Sequence, residues 1–332
     1  MPTCAVWNWA GDYETTDTET GVCSPPVQGD IYHLTPGGAK PIVFSLHRPH
    51  LPTYSTDNQW LYYQAGLVGQ TRIYRCCPDG SKQQLVAPDK NLGNQWKEAF
   101  GFSLSANGQR LIYTVSDGKT GRIVVAQPDG SDAQWVAPDL GYIYMPALYP
   151  DGTSVVFSGP ATGYRLGWID LKTGRMRMLT PHHPQAYAPR FTPDGHHIIF
   201  VRRDGDIYRV TVENELVQRL TQGHNYCEFR LSAKDRHGST DGPDISPDGK
   251  HIACIAVKND IPNVWVIDIH GKNPRQLTFH NTPCGKVRWQ SNGTHLQFVS
   301  FVGHRPQLFS ICAQGGQPEQ LTAFPGGVIA HT

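Results

Sequence analysis

Several things are scarce in this chain, and each scarcity closes a line of reasoning. Neither sign of charge is in excess: 29 Lys and Arg face 28 Asp and Glu, a formal charge of +1 over 332 residues. No long basic run exists to follow a phosphate backbone, so nucleic acid is not an expected partner. No stretch approaches the roughly 18 apolar residues of a membrane span, and the start, "MPTCAVWNWAGDYETTDTET", lacks a basic segment followed by an apolar one. As it stands the chain reads as cytoplasmic, or as periplasmic or secreted if an export signal has been removed, and no membrane partner is expected. The 8 cysteines form no C-x-x-C pair of the kind that makes a zinc knuckle. Cys254 and Cys312 sit inside apolar runs and read as reduced, buried or incidental thiols.

Helix signals of useful length are missing too. Glycine (34) and proline (26) are abundant instead and supply the turns of an all-β fold.

What is present is a repeat. The endings "FSLHRP", "LVAPDK", "WVAPDL", "MLTPHH", "RLTQGH", "QLTFHN" and "QLTAFP" mark seven units, and most are followed by a hairpin turn such as "LSANGQ", "YPDGTS", "FTPDGH" or "ISPDGK". Asp-Gly and Asn-Gly favour two-residue hairpins. The turn residues Asp57, Asn107, Asp151, Asp194, Asp248 and Asn292 recur at the 40-to-55-residue period of propeller blades. Within one unit, "AYAPRF" and "HHIIFVRRDGDIYRVTVENELVQRLT" give four short β-rich runs, the make-up of one blade.

The expected fold class is therefore all-β, a single seven-bladed β-propeller over residues 1–332 whose first blade is closed by N- and C-terminal strands. The blades are expected at 1–45 with 327–332, 46–87, 88–137, 138–180, 181–221, 222–278 and 279–326. The first unit offers only three strands, "AVWNW" and the two within "DIYHLTPGGAKPIVFS", and "GGVIAHT" is the spare segment that would complete it and remove an open edge.

In such a blade the connections into the inner strand share one face with the turns between the second and third strands. Loops from all blades converge there, and binding sites follow. Counting back from each hairpin places His50, Phe100, Tyr144, Tyr187, Asp241 and Gly285 around the expected mouth, with Arg48, Glu98, Tyr142, Gln185, Ser239 and Pro283 further out. His47, His182, His183, His224, His237 and His280 fall in the same connections and His304 in a second-to-third-strand turn. Any one histidine here reads equally as an ordinary surface residue; it is the clustering that suggests a site. Cys284, in the joint beside His280, reads as a small packing residue. The stretch after Thr221, "QGHNYCEFRLSAKDRHGSTDGPDISPDG", is far longer than its counterparts, either a functional loop or a plain surface Ω-loop.

The units "FTPDGHHIIFVRRDGDIYRVTVENELVQRLT" and "ISPDGKHIACIAVKNDIPNVWVIDIHGKNPRQLT" resemble the WD40-like repeats of the TolB type, with S-P-D-G-K before the second strand and R-Q-L-T at the blade end. The likeness is clear in the last four units and degenerate before Ala137. The same blades serve a scaffold, propeller-bearing peptidases and polysaccharide lyases. No G-x-S-x-G nucleophile elbow is present, which excludes the peptidase. A free-standing, histidine-rich propeller is similar to the oligogalacturonate lyases. That resemblance implies a divalent metal (Mn, Ca or Zn) and an acidic oligosaccharide as substrate, with no organic cofactor; this chain lacks a paired H-x-H run.

β-Elimination at a uronate needs a cation to neutralise the carboxylate, a base for the proton beside it, and an acid for the departing oxygen. Candidates are His237 or His183 as base, Tyr187 or Tyr144 as acid, and Arg236, Arg190 or Arg288 against the carboxylate, with His50, Arg48, Gln185 and Asp241 as further substrate contacts. His224, His280 and His304 are the candidate metal ligands. Plain readings stand beside these: an inter-blade salt bridge to Asp244 for either inner-strand arginine, and inter-blade packing for either tyrosine. The leading expectation is a monomeric lyase; the alternative is a non-catalytic propeller that binds a protein or glycan.

Overall fold

The computed structural model describes residues 4–9, 29–35, 38–45, 50–66, 70–141, 143–223, 242–258, 261–279, 281–303, 305–324 and 328–331. Regular structure there is almost wholly strand, with two short 3-10 turns at Lys90–Leu92 and Pro160–Thr162. No helix among the described residues is long and apolar enough to cross a membrane.

The strands group into four-stranded antiparallel sheets. The expected seven-bladed propeller is corrected to one of six blades. Six sheets are blades made of four strands consecutive in the chain, spanning 50–87, 98–136, 144–178, 186–219, 244–276 and 285–320. The first unit does not form such a blade. Its three strands, Cys4–Trp9, Gly29–Thr35 and Gly38–Ser45, make a composite sheet with Val328–His331, which lies antiparallel to Cys4–Trp9. A three-strand unit leaves one edge of backbone donors and acceptors, and the distant segment covers it.

The chain divides into two compact units, 1–52 with 204–207 and 219–332, and 53–203 with 208–218. In the second unit, Tyr62 and Ile73 of the 50–87 blade pack with Leu111, Tyr113 and Val124 of the 98–136 blade in one buried cluster. Val156 and Leu166 likewise join Ile198, Phe200 and Tyr208. In the first unit, Ala253, Val264 and Val266 pack with Leu296, Phe298 and Ile311. Middle strands therefore have apolar neighbours on both faces. This explains why Leu61–Ala65, Leu111–Ser116 and Ser154–Ser158 are buried at every position instead of alternating. Outer strands such as Met176–Met178 are largely exposed.

Two side-chain devices recur because the sequence motifs recur. In four of the six hairpins a hydroxyl and a carboxylate or amide close the turn: Ser55 Oγ donates to Asp57, Ser105 to Asn107, Thr192 to Asp194 and Ser246 to Asp248, at 2.5 to 2.6 Å. Those hydroxyl and backbone N–H donors hold the Asp57 and Asp248 carboxyls below their ordinary range. At the blade ends, the last residue of L-T or R-L-T does the second job. The hydroxyls of Thr180, Thr221, Thr278 and Thr322 each accept from a backbone N–H in or just before the third strand, at Leu166, Ile207, Val264 and Leu308, all at 2.9 Å. Three of them also donate to the residue before that strand position: Asp206, Asn263 and Gln307. Only Asp206 carries a charge. It is fully buried and pairs with Arg219, while Gly223 N–H donates to it at 3.2 Å.

The inner strands share a feature that the sequence does not announce. Gly101, Met145, Ala188 and Lys286 all adopt left-handed backbone, with φ of 60, 52, 49 and 54°. Each lies six residues before its hairpin residue, Asn107, Asp151, Asp194 or Asn292, and each coincides with a β-bulge. Tyr187 stands opposite Val201 and Arg190 opposite Ile199. Two residues that plain alternation would send to opposite faces thus share one face.

Candidate functional site

In an antiparallel meander the start of the inner strand, the end of the second, the start of the third and the end of the fourth lie at one end of the sheet. The connection 179–185, between the 144–178 and 186–219 blades, runs at that end. So do the turns 159–166 and 203–206.

The sequence "PHHPQA" folds here into a closed loop. Its two ends dock on consecutive residues of the 159–166 turn: Arg165 Nε donates to the Pro181 carbonyl at 2.9 Å, and Ala186 N–H donates to the Tyr164 carbonyl at 2.7 Å. On its other side Arg202 Nε donates to the Pro184 carbonyl at 3.2 Å and Arg203 N–H to the Gln185 carbonyl at 3.2 Å. Proline explains the choice of partners, since both prolines lack an N–H yet present carbonyls that arginines bind well. The Arg202 guanidinium also reaches the Tyr208 hydroxyl at 3.3 Å and lies 5.1 Å above that ring.

His182 and His183 ride on this loop. His183 is half-buried, and its pKa is held below the ordinary histidine value by burial first, then by the charges of Arg202 and His182. A neutral imidazole at physiological pH can accept a proton, which a charged one cannot. On the strand that follows the loop, the ring of Tyr187 meets that of Tyr164 at 5.1 Å between centroids, tilted by 46°. Three non-glycine residues near Tyr187 are left-handed: Tyr164 at 55°, Gln185 at 65° and Ala188 at 49°. Such strain gathers where structure is over-determined, often at sites.

The structure thus brings His183, Gln185, Tyr187 and Arg190 of the expected set together, on one loop and the strand that follows it. His50, Tyr144 and Gly285 open inner strands, and Phe100 lies within one. Arg288 is placed elsewhere, on the Gly285–Trp289 strand. Its Nη1 donates to the Val287 carbonyl at 2.8 Å. Beside it Asp244 Oδ2 accepts from the Trp289 N–H at 2.8 Å, an inter-blade link made to backbone. Cys284 is fully buried in the core, and burial pushes its thiol up to about 11. Sequence reasoning missed Tyr164, Arg165 and Arg202. The signal was the spacing of an arginine and a histidine-proline loop in neighbouring connections, which gains meaning only once the blades are side by side.

His237, Arg236, Asp241, Arg48, Tyr142, His224, His280 and His304 lie outside the described residues. Among the described residues no group of three or more His, Cys, Asp or Glu is placed to hold a metal ion. The described side chains do not supply a cation cage, and no step below is routed through one.

No known family model matches the chain. TolB of the Tol-Pal system from Legionella pneumophila is 33% identical over 61 residues, 18% of this chain and 15% of that protein, so the matched stretch is a small part of that relative. Among solved structures, an oligogalacturonate lyase in complex with manganese superposes with a TM-score of 0.65 at 15% identity, over 92% of this chain and 90% of its own. TolB from Acinetobacter baumannii gives 0.55 at 15% identity, over 92% and 78%. At such identities the likeness establishes the fold, a TolB-like β-propeller.

Proposed function

We propose that the protein is a lyase that cleaves uronate-containing oligosaccharides by β-elimination, at the end of the blades that carries the His182–His183 loop. The observation that carries this reading is the His183 imidazole, kept neutral on a loop docked through Arg165 on one side and Arg202 on the other. A base must be unprotonated and held in place; the depressed pKa of His183 favours the first, and the docking of its loop favours the second.

His183 takes the proton on the carbon next to the carboxylate. The electron pair forms the new carbon–carbon double bond, and the bond to the departing glycosidic oxygen breaks. Tyr187 donates a proton to that oxygen. Arg190, brought by the bulge to the same face as Tyr187, holds the carboxylate and stabilises the charge that builds on it. Tyr144 as acid and Gln185 as a substrate contact belong to the same proposal; His237 as base, Arg236 or Arg288 against the carboxylate, and Arg48, His50 and Asp241 as substrate contacts are separate candidates. A divalent metal on His224, His280 and His304 would add charge neutralisation when bound.

The test is ultraviolet absorbance of the unsaturated product, with a panel of uronate oligosaccharides and parallel chelator and divalent-metal samples. Absorbance should rise, and fall by at least a hundredfold in rate with His183→Ala. No rise on any uronate sinks the lyase.

A second reading, a non-catalytic propeller that binds a protein or glycan, is favoured by the sequence likeness to TolB. It expects graded affinity losses on substitution and no product.

A further inference from the structure

The turn 159–166 is built with more care than a connector needs. It opens with the short 3-10 turn Pro160–Thr162 and then sets two successive residues, Gly163 at 58° and Tyr164 at 55°, in left-handed backbone. Glycine does this freely; tyrosine does not. The turn is held by its own bonds: Thr162 Oγ1 to the Gly159 and Arg165 carbonyls at 3.0 and 2.8 Å, and Tyr164 N–H to the Gly159 carbonyl at 2.8 Å. The outcome of the strained residue is a definite placement of two side chains. Tyr164 is set against Tyr187, and Arg165 reaches the base of the histidine loop.

Arg165 is fixed but not neutralised. Its Nε donates to the Pro181 carbonyl and its Nη1 to the Thr162 carbonyl at 3.3 Å, and no carboxylate pairs with it among the described residues. Both Tyr164 and Arg165 are half-exposed, within reach of a ligand. A guanidinium held in one orientation by carbonyls keeps its full charge and matches a carboxylate well. The ring of Tyr164, the preceding residue, offers a flat apolar wall.

We propose that Tyr164 and Arg165 form a subsite for a six-membered sugar ring that carries a carboxylate, with Arg165 binding the carboxylate and Tyr164, backed by Tyr187, stacking on the ring. The subsite rests on the acidic-sugar reading above for its ligand class, but not on catalysis. Its loop is bonded before ligand arrives, so binding requires little reordering.

The test uses methyl galacturonide, which has no sugar at its ring carbon 4 to expel, and methyl galactoside as its uncharged counterpart. Affinities are read by calorimetry and saturation-transfer NMR, with melting curves for every variant. The wild-type protein should bind the galacturonide at least tenfold more tightly than the galactoside. Arg165→Gln should erase that preference. Tyr164→Asn, chosen because asparagine tolerates left-handed backbone, should weaken both sugars about tenfold. If Arg165→Gln melts abnormally, Arg165→Lys decides: preference kept supports the subsite, preference lost overturns it. A folded Arg165→Gln with the preference intact, or a wild type with none, also overturns it. Turnover is read separately, on uronate oligosaccharides. Galacturonide binding by a wild-type protein that turns over no uronate oligosaccharide would sink the lyase and leave this subsite standing.

Discussion

Burial first, and then the charge of Arg202, holds the pKa of the His183 imidazole below its ordinary value. The same arginine donates to the carbonyl of Pro184, the residue after His183, so one side chain both braces the loop and adds to the depression of the histidine's pKa.

The pH profile of activity should show it. A depressed pKa keeps His183 neutral to lower pH, so the acid limb should fall below the ordinary histidine value of about 6.5. Arg202→Gln should move that limb upward as well as slow the reaction. A limb that stays put in Arg202→Gln would exclude the charge as its cause. The same sign applies to stability. Protons bind the unfolded histidine first, so its contribution is present above the ordinary histidine value and is lost as pH falls below it.

Asp206 offers a separate test of architecture. Its neighbours in the same role, Asn263 and Gln307, are neutral, whereas Asp206 is buried and paired with Arg219. Asp206→Ala should cost about 3 kcal/mol by urea denaturation, because a buried partner is removed from a pair. Asp206→Asn together with Arg219→Gln should recover most of that, since an amide already does the job at Asn263. Equal losses in both variants would refute the equivalence.

Thr278→Val should cost roughly 1–3 kcal/mol, because the buried Val264 N–H loses its only side-chain acceptor among the described residues. Thr278→Ser should cost less than half as much. Urea midpoints separate the two.

Ala188→Gly should stabilise, against the usual direction. At a φ of 49° alanine is strained, and the equivalent Gly101 shows that glycine fits the bulge. A gain of about 1 kcal/mol in thermal or urea unfolding is expected.

Thiol labelling should sort the cysteines. Burial raises Cys254 to about 12 and Cys284 to about 11, so both should resist alkylation until the protein unfolds, whereas the partly exposed Cys77 should react in the native state. Rapid native labelling of Cys284 would contradict its place in the core.

The blade period, the hairpins and the blade-ending threonines were legible because they are local. An Asp-Gly turn with a hydroxyl two residues before the Asp closes on itself, and an L-T ending serves a strand only 14 residues away. The sequence by itself therefore determined an all-β chain of repeated four-strand meanders, and marked the connections between them as the place to look for a site.

Tertiary structure decided the rest. The composite sheet joins residues more than 300 positions apart, a pairing that depends on where the blades leave their edges. The bulges put Tyr187 and Arg190 on one face through a left-handed alanine, a residue with no sequence mark for such backbone. Arg165, Pro181, Pro184 and Arg202 come from two connections and the end of a strand, and none signals a site alone. The reason is physical: hydrogen bonds within a turn need only neighbours in sequence. The charge and burial that tune His183 exist only once separate blades have packed side by side.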